Sequence, residues 1–301
     1  MTANPTRLSD QALAQCDLDQ TRLSQLCDIA RQAAQAGAGP LRDLFGRLEM
    51  VREKGRAGDL VTEADLAAEK AVLGLLQRET PEIAILSEES GHQDGSGELQ
   101  WCVDPLDGTT NYAHGLPFFA TSVGLTWRGQ PLLGALAVPA LQQLYWAAPG
   151  LGCWCNDLEM KVSNCSRLAD SLLATGFAYD RIQRRDNNYA EFAWFTHRSH
   201  GVRRIGAAAL DLALVAAGRM DGYWERGLSA WDLAAGVVLV EQAGGVVSAY
   251  DGGQFNLLEG RVIACTPGLH QPLIDGLASC QPLAPASYGV EELDGMPSTS
   301  P

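Results

Sequence analysis

The chain has 301 residues, 46% of them hydrophobic, and 36 acidic against 22 basic side chains give a formal net charge of −14. That length can bury a large core, in two domains or one unusually large one. The acid excess argues against general binding to nucleic acid or an anionic membrane, both of which need basic surface, and no apolar run approaches the ~20 residues that span a bilayer.

Residues 1–17 are polar and read as a loose N-terminus. From residue 18, apolar residues recur at helical spacing (Leu23, Leu26, Cys27, Ala30, Ala34) until Gly37-Ala38-Gly39-Pro40 signals a stop. A second helix is predicted over residues 41–50. Thr62 and Asp65 form a capping-box pattern ahead of a helix over 64–78. Residues 83–86 read as a strand ending at Ser87-Glu88-Glu89, and 99–103 as another that Pro105 blocks from continuing. Strands over 118–127 and 132–138 follow, joined by Arg128-Gly129-Gln130-Pro131, with a third over 143–147. The second half changes rhythm. Strands over 172–175, 202–205, 223–225, 246–249 and 262–265 alternate with helices over 207–217, 233–243 and 268–279. This divides the chain into an α+β half, 18–160, and an α/β half, 161–280. Residues 281–301 are rich in Pro, Ser and Gly and read as a disordered tail.

Eight cysteines show no paired C-x-x-C spacing, and the five histidines have no spacing suited to zinc. Buried free thiols in a reducing cytosol fit this usage. The N-terminus lacks the apolar core of a secretory leader, so the expected location is cytoplasmic.

The stretch Asp104-Pro105-Leu106-Asp107-Gly108-Thr109-Thr110-Asn111 carries the most chemistry. Two carboxylates lie three residues apart at a strand end. Asp107-Gly108 makes a tight turn, and the amides behind it can meet an anion. Hard oxygen ligands beside such a cradle point to magnesium-dependent phosphoryl chemistry. Asp65, Glu88 and Asp232 stand at the ends of other predicted elements. Singly, each acid has a local explanation: Asp65 completing the capping box, Asp232 capping the helix from 233, the others forming turns. Clustered together they repel one another unless cations hold them.

Four motifs in order resemble the inositol monophosphatases, a family of magnesium-dependent, lithium-sensitive sugar phosphatases. They are Gly58-Asp59-Leu60-Val61-Thr62-Glu63-Ala64-Asp65, Ser87-Glu88-Glu89-Ser90, the run from Trp101 to Tyr112, and Trp231-Asp232-Leu233-Ala234-Ala235-Gly236. The resemblance covers roughly residues 20–280. It implies a layered αβαβα sandwich of the inositol monophosphatase and fructose-1,6-bisphosphatase type, and a homodimer. It implies one magnesium ion at Glu88, Asp104 and the Leu106 carbonyl, and a second at Asp104, Asp107 and Asp232. A third, weaker ion would share Glu88. The amides of Gly108 and Thr109 would hold the phosphate. Thr109, paired with Asp65, would orient and help deprotonate the attacking water beside Glu88. Gly206, Ala207 and Ala208 would touch the sugar through backbone atoms, and Glu225 and Asp232 through carboxylates. Relatives often carry Ser or Thr where this chain has Ala207. Lys54 matches a basic residue near a metal-binding loop, and a merely solvated lysine is an equal alternative.

Other hydrolase classes lack their signatures. A haloacid-dehalogenase phosphatase needs an Asp-x-Asp nucleophile, and the spacing in the Asp104–Asp107 motif is Asp-x-x-Asp; there is also no P-loop and no G-x-S-x-G elbow. Thr110-Asn111 is the form typical of inositol monophosphatases, whereas phosphoadenosine phosphatases usually show Lys and histidinol phosphatases often Arg. The expected reaction is hydrolysis of a small sugar or polyol phosphate monoester, inositol 1-phosphate first. Fructose-1,6-bisphosphate and histidinol phosphate stay open as substrates. A non-catalytic binding protein on this fold would have lost a metal ligand, and none is lost.

Overall fold

The structure is a computed structural model and describes residues 7–54 and 59–281. Two helices open it, α1 (Leu8–Gln15) and α2 (Gln20–Leu44). A short antiparallel pair follows, β1 (Val51–Glu53) with β2 (Leu60–Thr62), and leads into α3 (Glu63–Glu79). Next come β3 (Ala84–Ser87), β4 (Gly91–Gln93), β5 (Leu99–Asp107) and the single-turn α4 (Thr109–Ala113). A meander completes this half: β6 (Ala120–Trp127), β7 (Gln130–Val138), β8 (Gln143–Ala148), β9 (Gly152–Cys155) and β10 (Leu158–Glu159). These strands form one sheet in the order β10-β9-β8-β7-β6-β5-β3-β4.

The second half contributes β11 (Leu172–Thr175), α5 (Tyr189–Thr196), β12 (Gly201–Arg203), α6 (Ala208–Ala216), β13 (Gly222–Arg226) and α7 (Ala230–Gln242). It closes with β14 (Val246–Ser248), β15 (Arg261–Cys265) and α8 (His270–Ser279). Its five strands form a mixed sheet in the order β12-β11-β13-β15-β14.

The layers follow from which faces are apolar. Helices α2 and α3 cover one face of the large sheet, burying Leu23, Leu26, Val72 and Leu76 against Val123, Leu125 and Leu133. Helices α6 and α7 fill the space between the sheets, where Leu233, Val237 and Leu212 meet Leu136, Tyr145 and Tyr223. The outer face of the small sheet is covered by α5 and α8, through Phe195, Leu273 and Leu277. The result is an αβαβα sandwich. Helix α7 lies unusually close to the large sheet because Gly134 has no side chain: a Cβ there would stand 2.5 Å from Ala235 Cα.

Several expectations are corrected. Residues 8–15 of the expected loose N-terminus are helical, with Leu8, Ser9 and Ala12 buried. Glu241 of α7 accepts from the amides of Leu8 at 2.8 Å and Ser9 at 3.1 Å, satisfying the first turn of α1. Residues 1–6 of that segment lie outside the described residues, as do 282–301 of the expected tail. Helix α2 does not stop at Gly37: its buried stripe continues through Gly37, Ala38 and Leu41, with Pro40 inside the helix. Burial of that stripe outweighs the propensity cost of glycine and proline. No separate helix spans 41–50, since its first four residues belong to α2. Helix α5 was unforeseen as a helix. Among the described residues, no helix is long and apolar enough to cross a membrane.

Candidate active site

Pro105 does not end β5. Pairing to β6 runs Asp104 with Ser122 and resumes at Asp107 with Ala120, so three steps along β5 oppose two along β6. In a regular strand, residues three apart face opposite sides of the sheet. The extra residue of this bulge cancels that alternation. Asp104 and Asp107 therefore line the same cavity, of about 430 Å³, together with Leu106, Gly108 and Thr109.

Each carboxylate is set by backbone. Asp104 Oδ1 accepts from the Leu106 amide at 2.9 Å. Asp107 accepts from the amides of Ala208 at 3.0 Å, Ala209 at 2.9 Å and Leu210 at 3.3 Å. It thus caps α6, whose own N-cap Ala207 offers no side-chain acceptor. Asp232 accepts from the Ser229 amide at 2.7 Å in the capping box of α7. Its place is the third helical residue, not the N-cap, because the helix begins at Ala230. Glu88 follows β3 and pairs with Lys54 Nζ at 2.9 Å, and Lys54 also pairs with Glu89. Lys54 is therefore engaged rather than merely solvated.

Gly108 turns the chain from β5 into α4 at φ +90°, and a Cβ there would meet the Phe118 carbonyl oxygen at 2.8 Å. Only glycine suits both constraints. The first-turn amides of α4 have no intrahelical acceptor. Thr109 begins α4, and its Oγ1 lies 3.1 Å from Asp65 Oδ1 and 3.0 Å from the Leu106 carbonyl. One hydroxyl proton serves only one of these acceptors at a time. Asp65 is fully buried, and its Oδ2 accepts from the Thr62 amide at 2.8 Å and the Thr62 hydroxyl at 2.6 Å. That leaves Oδ1 for Thr109.

Six acids line the cavity: Asp59, Glu88, Asp104, Asp107, Glu225 and Asp232. Burial pushes the Asp104 carboxyl well above the usual carboxylate range, and the charges of Glu88, Asp107 and Asp232 push the same way. Burial raises Asp107 to about 7 against the pull of the α6 amides. Asp232 is raised by burial and then by Glu88. Burial also raises Asp65, opposed by Thr62 and Thr109. Burial alone would disfavour the Lys54 charge, but Glu88 and Glu89 outweigh it and hold the proton more tightly.

These donors fit a hard divalent cation. They are oxygen atoms in one cavity, and the repulsion that raises Asp104 and Asp232 is what a cation relieves. Among the described residues, no three His, Cys, Asp or Glu side chains enclose a metal ion by themselves. Three of the acids also carry other bonds: Lys54 pairs with Glu88, the α6 amides with Asp107 and the Ser229 amide with Asp232. Magnesium keeps several waters and takes few carboxylates, so it needs no closed protein cage.

Glu225, next to last in β13, lines the same cavity, and burial raises its carboxyl to about 7 while the Tyr223 hydroxyl donates to Oε2. Gly206, Ala207 and Ala208 also line it, but the Ala208 amide is committed to Asp107 and is not free for a sugar. Sequence reasoning missed Tyr179, Arg181 and Arg204, which line the cavity from loops. No motif marks them, and only the tertiary fold brings them there.

The sequence matches the model of the inositol monophosphatase family over residues 22–281. An inositol-1-monophosphatase from a Synechocystis species is 48% identical over 253 residues, covering 84% of this chain and 88% of that protein. A Nus factor SuhB from Pseudomonas aeruginosa is 39% identical, covering 88% of this chain and 99% of that one. The solved inositol monophosphatase from an Anabaena species superposes with a TM-score of 0.80 at 46% identity, over 87% of this chain and 98% of its own.

Proposed function

This chain belongs to the inositol monophosphatase family of phosphoric monoester hydrolases, and from that premise we propose that it hydrolyses a small polyol or sugar phosphate, inositol 1-phosphate first, using magnesium. The observation that carries the reading is the convergence of Glu88, Asp104, Asp107 and Asp232 on the cavity that Gly108 and Thr109 also line.

The family is metal-dependent. Glu88, Asp104 and the Leu106 carbonyl would hold one magnesium ion, Asp104, Asp107 and Asp232 a second, and Glu88 would share a third, weaker one. Magnesium, when bound, supplies Lewis-acid activation of water and neutralises charge on the phosphoryl and leaving oxygens. The protein supplies orientation and proton handling. The amides of Gly108 and Thr109 meet the phosphate, where fixed dipoles lose nothing to reorganisation. The Thr109 hydroxyl orients a water and passes proton density to Asp65 Oδ1, 3.1 Å away. Burial raises the affinity of Asp65 for that proton. Lys54 pairs with Oε1 of Glu88, so its ammonium would share that carboxylate with a metal ion. Glu225 and Asp232 face the ring hydroxyls, with backbone contact from Gly206 and Ala207.

The reading includes a homodimer in the cytoplasm. All eight cysteines are free, which suits a reducing compartment. The test is phosphate release by purified protein with magnesium from inositol 1-phosphate, fructose 1,6-bisphosphate, histidinol phosphate and phosphoadenosine phosphate. Arg181 and Arg204 in the cavity wall justify including substrates with a second phosphate. Preference for inositol 1-phosphate, lost in EDTA, supports the reading. Equal rates on inositol and fructose substrates would make it a broad sugar phosphatase, and no release from any would refute it.

A further inference from the structure

The segment between β11 and α5 has no repeating structure, yet it walls the active-site cavity through Phe177, Tyr179 and Arg181. Its root is fixed by Asn188, whose Nδ2 donates to Thr175 Oγ1 and the Gly176 carbonyl, both at 2.7 Å. Trp224 Nε1 of β13 donates to Asn188 Oδ1 at 2.7 Å. The middle of the segment is held differently. Arg226, the last residue of β13 and only 8% exposed, donates from Nη2 to Asp180 Oδ1 at 2.9 Å. Its Nε stands 3.6 Å from Asp186 Oδ1, an ion pair without a hydrogen bond, and Asp186 also pairs with Arg261 of β15. Gly227 continues the support: a Cβ there would lie 2.6 Å from Ala178 Cβ, so the segment rests directly on the backbone beyond Arg226.

We propose that Arg226 is a positioning residue that clasps Asp180 and Asp186, holding the 177–181 wall at the spacing from Glu225 that a polyol ring requires. The clasp acts on the ring end of the substrate, not on phosphorus, and this rests on the polyol phosphate reading above. Three observations support it. A buried guanidinium is stable only when paired, so losing its partners is costly and the contact is not a casual surface pair. A guanidinium spreads its donors over Nε and the two Nη atoms, so it faces Asp180 and Asp186 from separate positions, whereas an ammonium offers its donors from one point. Strand β13 is paired on both sides, by β11 and β15, so the clasp is anchored to a rigid element. Arg226 also directly follows Glu225, so wall and ring acid share one anchor.

The test is steady-state kinetics on the full chain with magnesium, comparing wild type, Arg226→Met, Asp180→Asn and the double variant. The expected result is a rise in KM for inositol 1-phosphate of about 10-fold, with kcat changed less than about 3-fold. Inhibition by inorganic phosphate stays as in wild type, because β5 and α4 build the phosphate end. The double variant is no worse than either single one, the sign of a shared interaction. Arg226→Lys recovers only part of the KM, since its ammonium offers donors from one point and lacks the spread of Nε and Nη2. A role in stability alone would leave KM at the wild-type value while lowering the melting temperature, and that result overturns the proposal. So does a parallel loss of kcat and of phosphate inhibition. If Arg226→Met does not fold, the Asp180→Asn result decides. If wild type prefers another ester, the substrate reading falls, and the KM ratio is read on the preferred ester instead. Amide exchange across residues 177–187 needs no substrate. It accelerates in both single variants if the clasp holds the wall, and unchanged exchange overturns the proposal.

Discussion

Glu225→Gln separates an acid held neutral by burial from one held ionised by partners. Glu225 in β13 is 8% exposed, and burial lifts its carboxyl from an ordinary 4.5 to about 7. A group whose folded value is raised binds its proton more tightly in the folded state. Its contribution to stability is therefore complete below pH 4.5 and is lost as pH rises through about 7. The interval corresponds to about 3 kcal/mol of stability. Glutamine keeps the shape and an acceptor for the Tyr223 hydroxyl, but never ionises. Urea unfolding of wild type and variant in EDTA, from pH 5 to 8.5, measures the difference without metal binding. The two should be close at pH 5, with Gln slightly weaker because its amide needs new partners. By pH 8.5 the variant should be more stable by about 3 kcal/mol. The charge of Asp107 acts on Glu225 in the same direction as burial. A difference that does not change with pH would refute the reasoning. In turnover, the same variant should reorder the substrate panel, and an unchanged ranking would remove Glu225 from the ring site.

Thr109→Ala removes the hydroxyl linked to Asp65 Oδ1, so kcat should fall by about 100-fold or more, while magnesium affinity by calorimetry changes little. The opposite pattern would make Thr109 structural. Glu241→Ala leaves the buried amides of Leu8 and Ser9 without their acceptor, a cost of about 2–4 kcal/mol borne mainly by α1. Hydrogen exchange over residues 8–15 should accelerate with phosphate release intact, and protected amides there would contradict the docking account.

What the sequence revealed was local. The Thr62–Asp65 capping box lies within four residues and was legible as such. The Asp104–Thr109 run announced its chemistry because strand end, turn and helix start are contiguous. What escaped was set by partners far along the chain. Asp107 caps a helix that begins 101 residues later, and Glu241 caps one that begins 233 residues earlier. Neither partnership leaves a local pattern. Helix α2 runs past Gly37 and Pro40 because packing on the large sheet overrides propensity, a competition no short window contains. Helix α5 is short and rich in aromatics, which are middling helix formers, and it is stabilised by packing on α8 and β12. The bulge at Pro105 was read as a strand end, yet it is what turns both aspartates to one side.

The most direct test of the central claim is phosphate release from inositol 1-phosphate by wild type and Asp104→Asn at saturating magnesium, with circular dichroism as the check on folding. Asparagine keeps the volume of a side chain that is 2% exposed and removes one charge from a cluster whose members raise one another. If Asp104 bridges the metal ions, turnover falls by more than the about 10–100-fold typical of losing a group that merely supports a metal ligand. The fold should survive and, in EDTA, gain stability through relief of repulsion. Near-normal magnesium-dependent turnover by Asp104→Asn would contradict the carboxylate-held metal site on which the account rests.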